Sequence, residues 1–334
     1  MIRLHNLDGL RGFAALLVVL SHLCGQLGIL GFIFEGGGGQ VGVQVFFALS
    51  GFLIGSIYLN YPIKRVEAAD FVARRVARVL PLYLAVVVVS YCLGYIAGVP
   101  VIYDVNKQNL LDHLLLVKAV SVMWTIPVEI HFYMIFLVIW GVFSISKGAG
   151  IVLSMASIPV LLFVPDPMAL RPFLMAFFLV GIVFSQVPTI GSSGAFALAL
   201  CATIVAMPAV SKLLGLDFFE FWRSPLNAVA VGALVYTAAH APIATKFLGS
   251  GIARYIGMIS FSIYLLHWPI MAIITTYTKI TTEPLLYLCC VIAVTVVLSS
   301  ISYYLIEAPA KRLIAKGRPT RNPASVPSPF GAPF

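Results

Sequence analysis

Leu7-Asp8-Gly9-Leu10-Arg11-Gly12-Phe13-Ala14-Ala15-Leu16-Leu17-Val18-Val19-Leu20-Ser21-His22-Leu23-Cys24 is an apolar run with an arginine at its start and a histidine in its interior. Eleven residues make about three helical turns, so Arg11 and His22 share one helix face, roughly 16 Å apart along the axis. In a membrane span, Arg11 stands at the surface and His22 lies well inside. An ionisable group at that depth is costly, faces the protein interior or a wet cavity, and marks a functional site by default. The structural alternative is a core histidine that hydrogen-bonds a neighbouring helix.

The rest of the chain fits a membrane setting. Its 334 residues are 61% hydrophobic and 10% charged, with mean hydropathy +1.03. Runs of about 20 apolar residues, long enough to cross a hydrocarbon core near 30 Å, follow one another with short connections. A transmembrane barrel would alternate over segments of about 10 residues instead. The expected fold is therefore all-α, a polytopic helical bundle of about ten spans, over a transmembrane domain at 1–315. Residues 316–334, basic and then rich in Pro, Ser and Gly, read as a disordered cytoplasmic tail. Phe13 to Leu30 reads as a retained first span and not a removable signal, since no small-residue cleavage site follows it. Cys24, Cys92, Cys201, Cys289 and Cys290 lie in apolar segments without metal-ligand spacing, so buried thiols and no metal are expected.

Spans are expected at 12–32, 42–60, 79–98, 123–145, 149–165, 171–187, 194–214, 225–241, 255–277 and 284–306. With the N-terminus cytoplasmic, inside segments hold fifteen of the 21 Lys and Arg. The others are Lys107, Lys118, Arg171, Lys212, Arg223 and Lys279. This asymmetry supports cytoplasmic N- and C-termini. It also explains the +9 net charge without invoking nucleic acid. Spans five to eight are short and broken by Pro165, Pro167, Pro188, Pro208 and Pro225.

Further segments carry chemistry. Gly36 to Gly39 lead into Phe46-Phe47-Ala48-Leu49-Ser50-Gly51-Phe52; the glycines read either as a flexible outer loop or as close packing around a cavity. Arg75 and Arg78 share a face just before the third span, where guanidinium forks match phosphates; topology and lipid contact are the alternative. Trp124 to Tyr133 contains Glu129, placed in the outer part of the fourth span, with Tyr133 one turn on and Pro127 expected to kink the helix. A carboxylate in a span pairs with something, and His22 is its expected partner. His131 points elsewhere and reads as structural. Tyr264 and His267 share a face in the ninth span, as cavity wall or as a helix pin. Glu307, followed by Pro309, reads as a membrane exit paired with a basic residue.

In this order the segments resemble the acyltransferase-3 family of integral membrane acyltransferases. The matches are Leu7 to Gly12 with His22, Phe46 to Phe52, Arg75-x-x-Arg78 with Pro81, Trp124 through Glu129 to Tyr133, Ser262-x-Tyr264-Leu265-x-His267-x-Pro269, and Glu307-x-Pro309. They run from about residue 7 to 312. The resemblance implies transfer of an acyl group, often acetyl, from cytoplasmic acyl-CoA to a hydroxyl of a carbohydrate or glycoconjugate, in a bacterial inner membrane. It also implies the standalone form without a fused hydrolase-like domain. His22, Glu129 and Arg11 become the expected catalytic residues; Arg75, Arg78 and Arg11 would hold the donor's phosphates. Ser50, Trp124, Tyr133, Tyr264 and His267 are cavity candidates. His22 would deprotonate the acceptor or carry the acyl group transiently. The expected partners are the lipid bilayer and a carbohydrate or glycolipid acceptor, with no nucleic acid. The rival reading is a proton-coupled transporter or flippase using His22, Glu129 and His267 as a relay.

Overall fold

The computed structural model describes residues 5–30, 34, 37–99, 102–165, 171–278 and 280–316. Of the tail expected at 316–334, Lys316 ends the last described helix and residues 317–334 lie outside the described residues, as do Arg3, Gly36, Pro167 and Lys279. Every regular element among the described residues is helical. Chain order gives α1 (His5–Leu27), α2 (Gly38–Tyr58), α3 (Arg65–Ser90), α4 (Thr125–Ile145), α5 (Lys147–Phe163), α6 (Pro172–Phe184) and α7 (Ser193–Ile204). Then follow α8 (Pro225–His240), α9 (Pro242–Leu248), α10 (Gly251–Met258), α11 (Ser260–Tyr277), α12 (Pro284–Ser302) and α13 (Ala308–Lys316).

Among the described residues, 5 segments are long and apolar enough to cross a membrane, and 2 further pairs qualify as bent spans. The pair α8–α9 bends by 85° and α10–α11 by 67°. The first bend falls at Ala241, where Pro242 disfavours helical backbone in the preceding residue. The protein is a multi-pass integral membrane protein. Segments five to seven differ from expectation. They are helices of 17, 13 and 12 residues, and the expected span at 194–214 breaks after Ile204, with a separate turn at Pro208–Leu213.

Helix α6 explains one such departure. Its 13 residues reach about 20 Å, short of a hydrocarbon core. Every residue from Pro172 to Ile182 is buried. A helix apolar on all sides belongs inside a bundle, and α6 packs between α2, α5 and α8. Its crossing with α2 is backbone to backbone. A Cβ on Gly51 would lie 2.0 Å from the Phe178 carbonyl oxygen, and one on Gly181 2.0 Å from that of Ala48.

The opening motif has a similar cause. A Cβ on Gly9 would meet the Leu248 carbonyl oxygen at 2.0 Å, and one on Gly12 the Gly257 nitrogen at 2.8 Å. These two glycines seat the first turns of α1 on α9 and α10. That contact fixes the rotation of α1, and so the direction in which Arg11 and His22 point.

Two smaller expectations change. Pro127 sits in the first turn of α4, where a missing N–H costs nothing, and introduces no mid-helix kink. Only Cys24 is buried; Cys92, Cys201 and Cys289 lie on exposed helix surface. Their apolar surroundings reflect outward-facing membrane segments, not a packed interior.

Candidate functional site

His22 faces His267. Their Nδ1 and Nε2 atoms lie 2.9 Å apart, and the rings stack at 5.1 Å with 8° between planes. Trp268 meets His22 edge-on at 5.4 Å. His267 is fully buried, and its own Nδ1 lies 3.2 Å from the Ile263 carbonyl one turn earlier. The network assigns the tautomers. Nδ1–H of His267 donates to Ile263, so its Nε2 accepts from Nδ1–H of His22. Nε2 of His22 is left with its lone pair.

Pro269 completes this arrangement. A proline inside a helix abandons the carbonyl four residues earlier, here that of Leu265. The buried Tyr103 hydroxyl donates to that carbonyl at 2.7 Å. Burial pushes the Tyr103 hydroxyl well above the ordinary tyrosine range, so it remains a neutral donor. The turn of α11 carrying His267 is thus clamped from the connecting segment.

His22 lines a cavity of about 550 Å3, with Ser21, Gln26, Gly37, Gly39, Gln40, Val43, Val122, Trp124, Tyr264, Trp268 and Met271 among its walls. The glycine run is therefore partly cavity wall. Gly39 N–H donates to Ser21 Oγ at 2.9 Å, tying the start of α2 to α1. A second cavity of about 50 Å3 is lined by Arg11, Ser50, Arg78, Glu129, Ser260 and Phe261. Val43 and Tyr264 line both cavities. The Tyr264 hydroxyl donates to the Val122 carbonyl at 2.9 Å, and its ring meets Phe46 edge-on at 6.1 Å.

The second cavity is rich in cations. Arg11 is paired with Asp8 at 3.4 Å and has Arg78, Arg75 and Glu129 as further charged neighbours. Arg75 does not line this cavity; its guanidinium lies 5.7 Å from the Phe71 ring centre and 5.9 Å from that of Tyr133. Its Nε is buried without a hydrogen-bond partner among the described residues.

Glu129 departs from expectation. The Tyr133 hydroxyl donates to it, and it sits in the arginine cavity. His22 takes His267 as its partner. The reason is depth. Residues Ser121–Trp124 form a 3-10 turn whose Val122 and Trp124 already line the histidine cavity, so Glu129 is carried further, to the level of Arg11. The expected relay through His22, Glu129 and His267 is thereby split between two cavities. Trp124 lines the larger cavity, Ser50 the smaller and Tyr264 both. His267 stands behind His22, and Tyr133 behind Glu129. Gln26 is a cavity residue beyond those expected, although its spacing of four from His22 places it on the same face. His131 Nδ1 is buried without a hydrogen-bond partner among the described residues. Glu307 does pair with a basic residue, Lys311, at 3.0 Å.

A paired histidine on the wall of one cavity, beside an arginine-lined cavity that shares Val43 and Tyr264 with it, makes up the candidate site. Comparison with known proteins gives the chain its family. Residues 4–304 match the acyltransferase-3 profile, described as an acyltransferase domain. The chain belongs to that family.

O-acetyltransferase OatA of Staphylococcus aureus (strain NCTC 8325 / PS 47) is 25% identical over 92% of this chain and 57% of its own length. Putative peptidoglycan O-acetyltransferase YrhL of Bacillus subtilis (strain 168) is 25% identical over 92% of this chain and 54% of its own. Putative membrane-bound transacylase BcsY of Komagataeibacter xylinus is 41% identical over 86 residues, 25% of this chain and 19% of its own. The chain thus spans a little over half the length of OatA and YrhL. No solved structure matches the chain.

Proposed function

We propose that the protein is an O-acyltransferase that moves an acyl group, acetyl by analogy with its relatives' names, from cytoplasmic acyl-CoA to a hydroxyl of a carbohydrate or glycoconjugate. The observation that carries this reading is the shared wall. Val43 and Tyr264 line both the arginine cavity and the histidine cavity, so the two are adjacent, and a donor held by its phosphates in one has its acyl end beside the other. In this reading both termini are cytoplasmic, the membrane is a bacterial inner membrane, and the acceptor enters the larger cavity from the opposite side.

The residues fit a phosphate-bearing donor. Three guanidiniums, of Arg11, Arg75 and Arg78, neighbour two carboxylates, of Asp8 and Glu129. Arg75 also keeps an unused buried donor. Surplus cations in a buried setting favour an anion, and arginine forks suit phosphate. When bound, the donor supplies an activated acyl carbonyl. His22 Nε2 takes the proton of the acceptor hydroxyl, and His267 holds the ring in the tautomer that leaves Nε2 basic. Glu129, hydrogen-bonded by Tyr133, orients the arginines.

The test is turnover by purified protein in detergent or vesicles, with acetyl-CoA and a panel of glycans, following free thiol and acetylated product. Acceptor-dependent thiol release that disappears in His22→Ala is the expected result. No release from folded wild type with any acceptor would refute the assignment of donor and acceptor.

A further inference from the structure

Lys311 belongs to the same charged neighbourhood as the arginines, although it lies some 230 residues further along the chain. It is the first residue of the second turn of α13, which packs on α3. Its charged neighbours are Glu307, Arg78 and Arg11. With Asp8, Glu129 and Glu307 counted, the four cations Arg11, Arg75, Arg78 and Lys311 face three carboxylates, so one positive charge is left for an anion.

The local fold holds Lys311 in place. Between α12 and α13 the chain makes a π-helical turn, Tyr303–Glu307. The extra residue of such a turn shifts the helix register, and these turns recur at functional sites. Here Glu307 faces inward, with a side chain only 2% exposed. It accepts from Ser262 Oγ at 2.6 Å and from Lys311 Nζ at 3.0 Å. The ammonium also lies 4.9 Å from the Tyr303 ring centre. A lysine kept only for topology needs no such socket.

Arg11 and Lys311 differ in exposure. The Arg11 side chain is 11% exposed and lines the inner cavity; that of Lys311 is 36% exposed. Coenzyme A has a matching order of anions, its pyrophosphate nearer the thioester and its ribose 3′-phosphate further away. We propose that Lys311, seated by Glu307, is the outermost cation of the donor site and binds the ribose 3′-phosphate, so that the enzyme discriminates coenzyme A from its 3′-dephospho form. This inference rests on the acyl-CoA reading above and adds a residue and a specificity to it.

The experiment compares equilibrium binding of coenzyme A and 3′-dephospho-coenzyme A by calorimetry in detergent, with turnover of the two acetyl thioesters alongside. Proteins are wild type, Lys311→Met, Lys311→Arg, and the double variant Lys311→Met/Glu307→Gln, which leaves no unpaired buried carboxylate. Wild type should prefer coenzyme A by about tenfold, the scale of one charge-assisted hydrogen bond. Lys311→Met and the double variant should lose the preference, Lys311→Arg should retain it, and binding of the dephospho form should be unchanged throughout. Equal binding of both forms by wild type, or undiminished preference in the double variant, overturns the proposal while leaving the acyl-CoA reading intact. A wild type that neither binds nor turns over either form refutes that reading itself, and Lys311's role with it.

Discussion

His22 and His267 are joined nitrogen to nitrogen at 2.9 Å, from helices 245 positions apart in the chain. The pairing gives the two rings different tasks. His267, anchored to Ile263, has no access to the cavity; His22 does. His267 therefore acts as a positioning residue. His267→Ala should lower kcat about tenfold or more, on the scale of one lost buried hydrogen bond, with donor KM unchanged. His267→Gln, whose amide oxygen can accept from Nδ1–H, should recover part of the rate. Equal loss in both variants without loss of stability would show that the hydrogen bond is not what matters.

The arginines differ in a way their spacing concealed. Arg78 lines the inner cavity with Arg11, whereas Arg75 sits over the Phe71 and Tyr133 rings. Arg78→Ala should raise donor KM by roughly tenfold to a hundredfold, as expected for a lost phosphate contact. Arg75→Ala should raise KM less and lower thermal stability, since it also removes packing over two rings. Steady-state kinetics together with thermal melts separate the two. Unchanged donor saturation in Arg78→Ala would remove the phosphate assignment.

The contact between α2 and α6 predicts a steep steric response. A Cβ at Gly51 would need backbone at Phe178 to move, since the clash is with a carbonyl oxygen at 2.0 Å. Gly51→Ala should cost about 1–3 kcal/mol or more. Gly141→Ala is the control. Nothing lies within 4 Å of a Cβ there, so a helix-interior alanine should stabilise by about 0.5–1 kcal/mol. Melting in detergent should move the two variants in opposite directions.

The first helix was largely legible because both of its signals are local. Helical period puts Arg11 and His22 on one face, and apolar length makes the segment a span. Glu129 with Tyr133, and Glu307 with a basic partner, follow the same i, i+4 rule, as does Gln26 beside His22. What could not be read is whatever depends on depth and on crossings between distant helices. Counting from a span boundary places Glu129 in the outer part of its span, but the 3-10 turn before α4 starts that helix deeper inside the protein. Likewise, α6 looks like a span from its hydropathy. Only the surrounding helices reveal it as a short buried post, and only the fold brings His267 to His22.

Tyr264 gives the remaining prediction, because it is wall to both cavities. Its ring stands between the two, while its hydroxyl is spent on the Val122 carbonyl. Tyr264→Phe keeps the ring and loses one hydrogen bond, so it should retain transfer within a few fold and destabilise by about 1 kcal/mol. Tyr264→Ala removes the partition. Water admitted beside the acyl group would then compete with the acceptor hydroxyl, and excluding water from reactive groups is one purpose of a closed site. The expected outcome is uncoupling, in which thiol is released faster than acetylated product accumulates and release persists without acceptor. Measuring both products in one reaction gives that ratio directly. A Tyr264→Ala enzyme that slows while staying fully coupled would mean that the acyl group does not pass this residue.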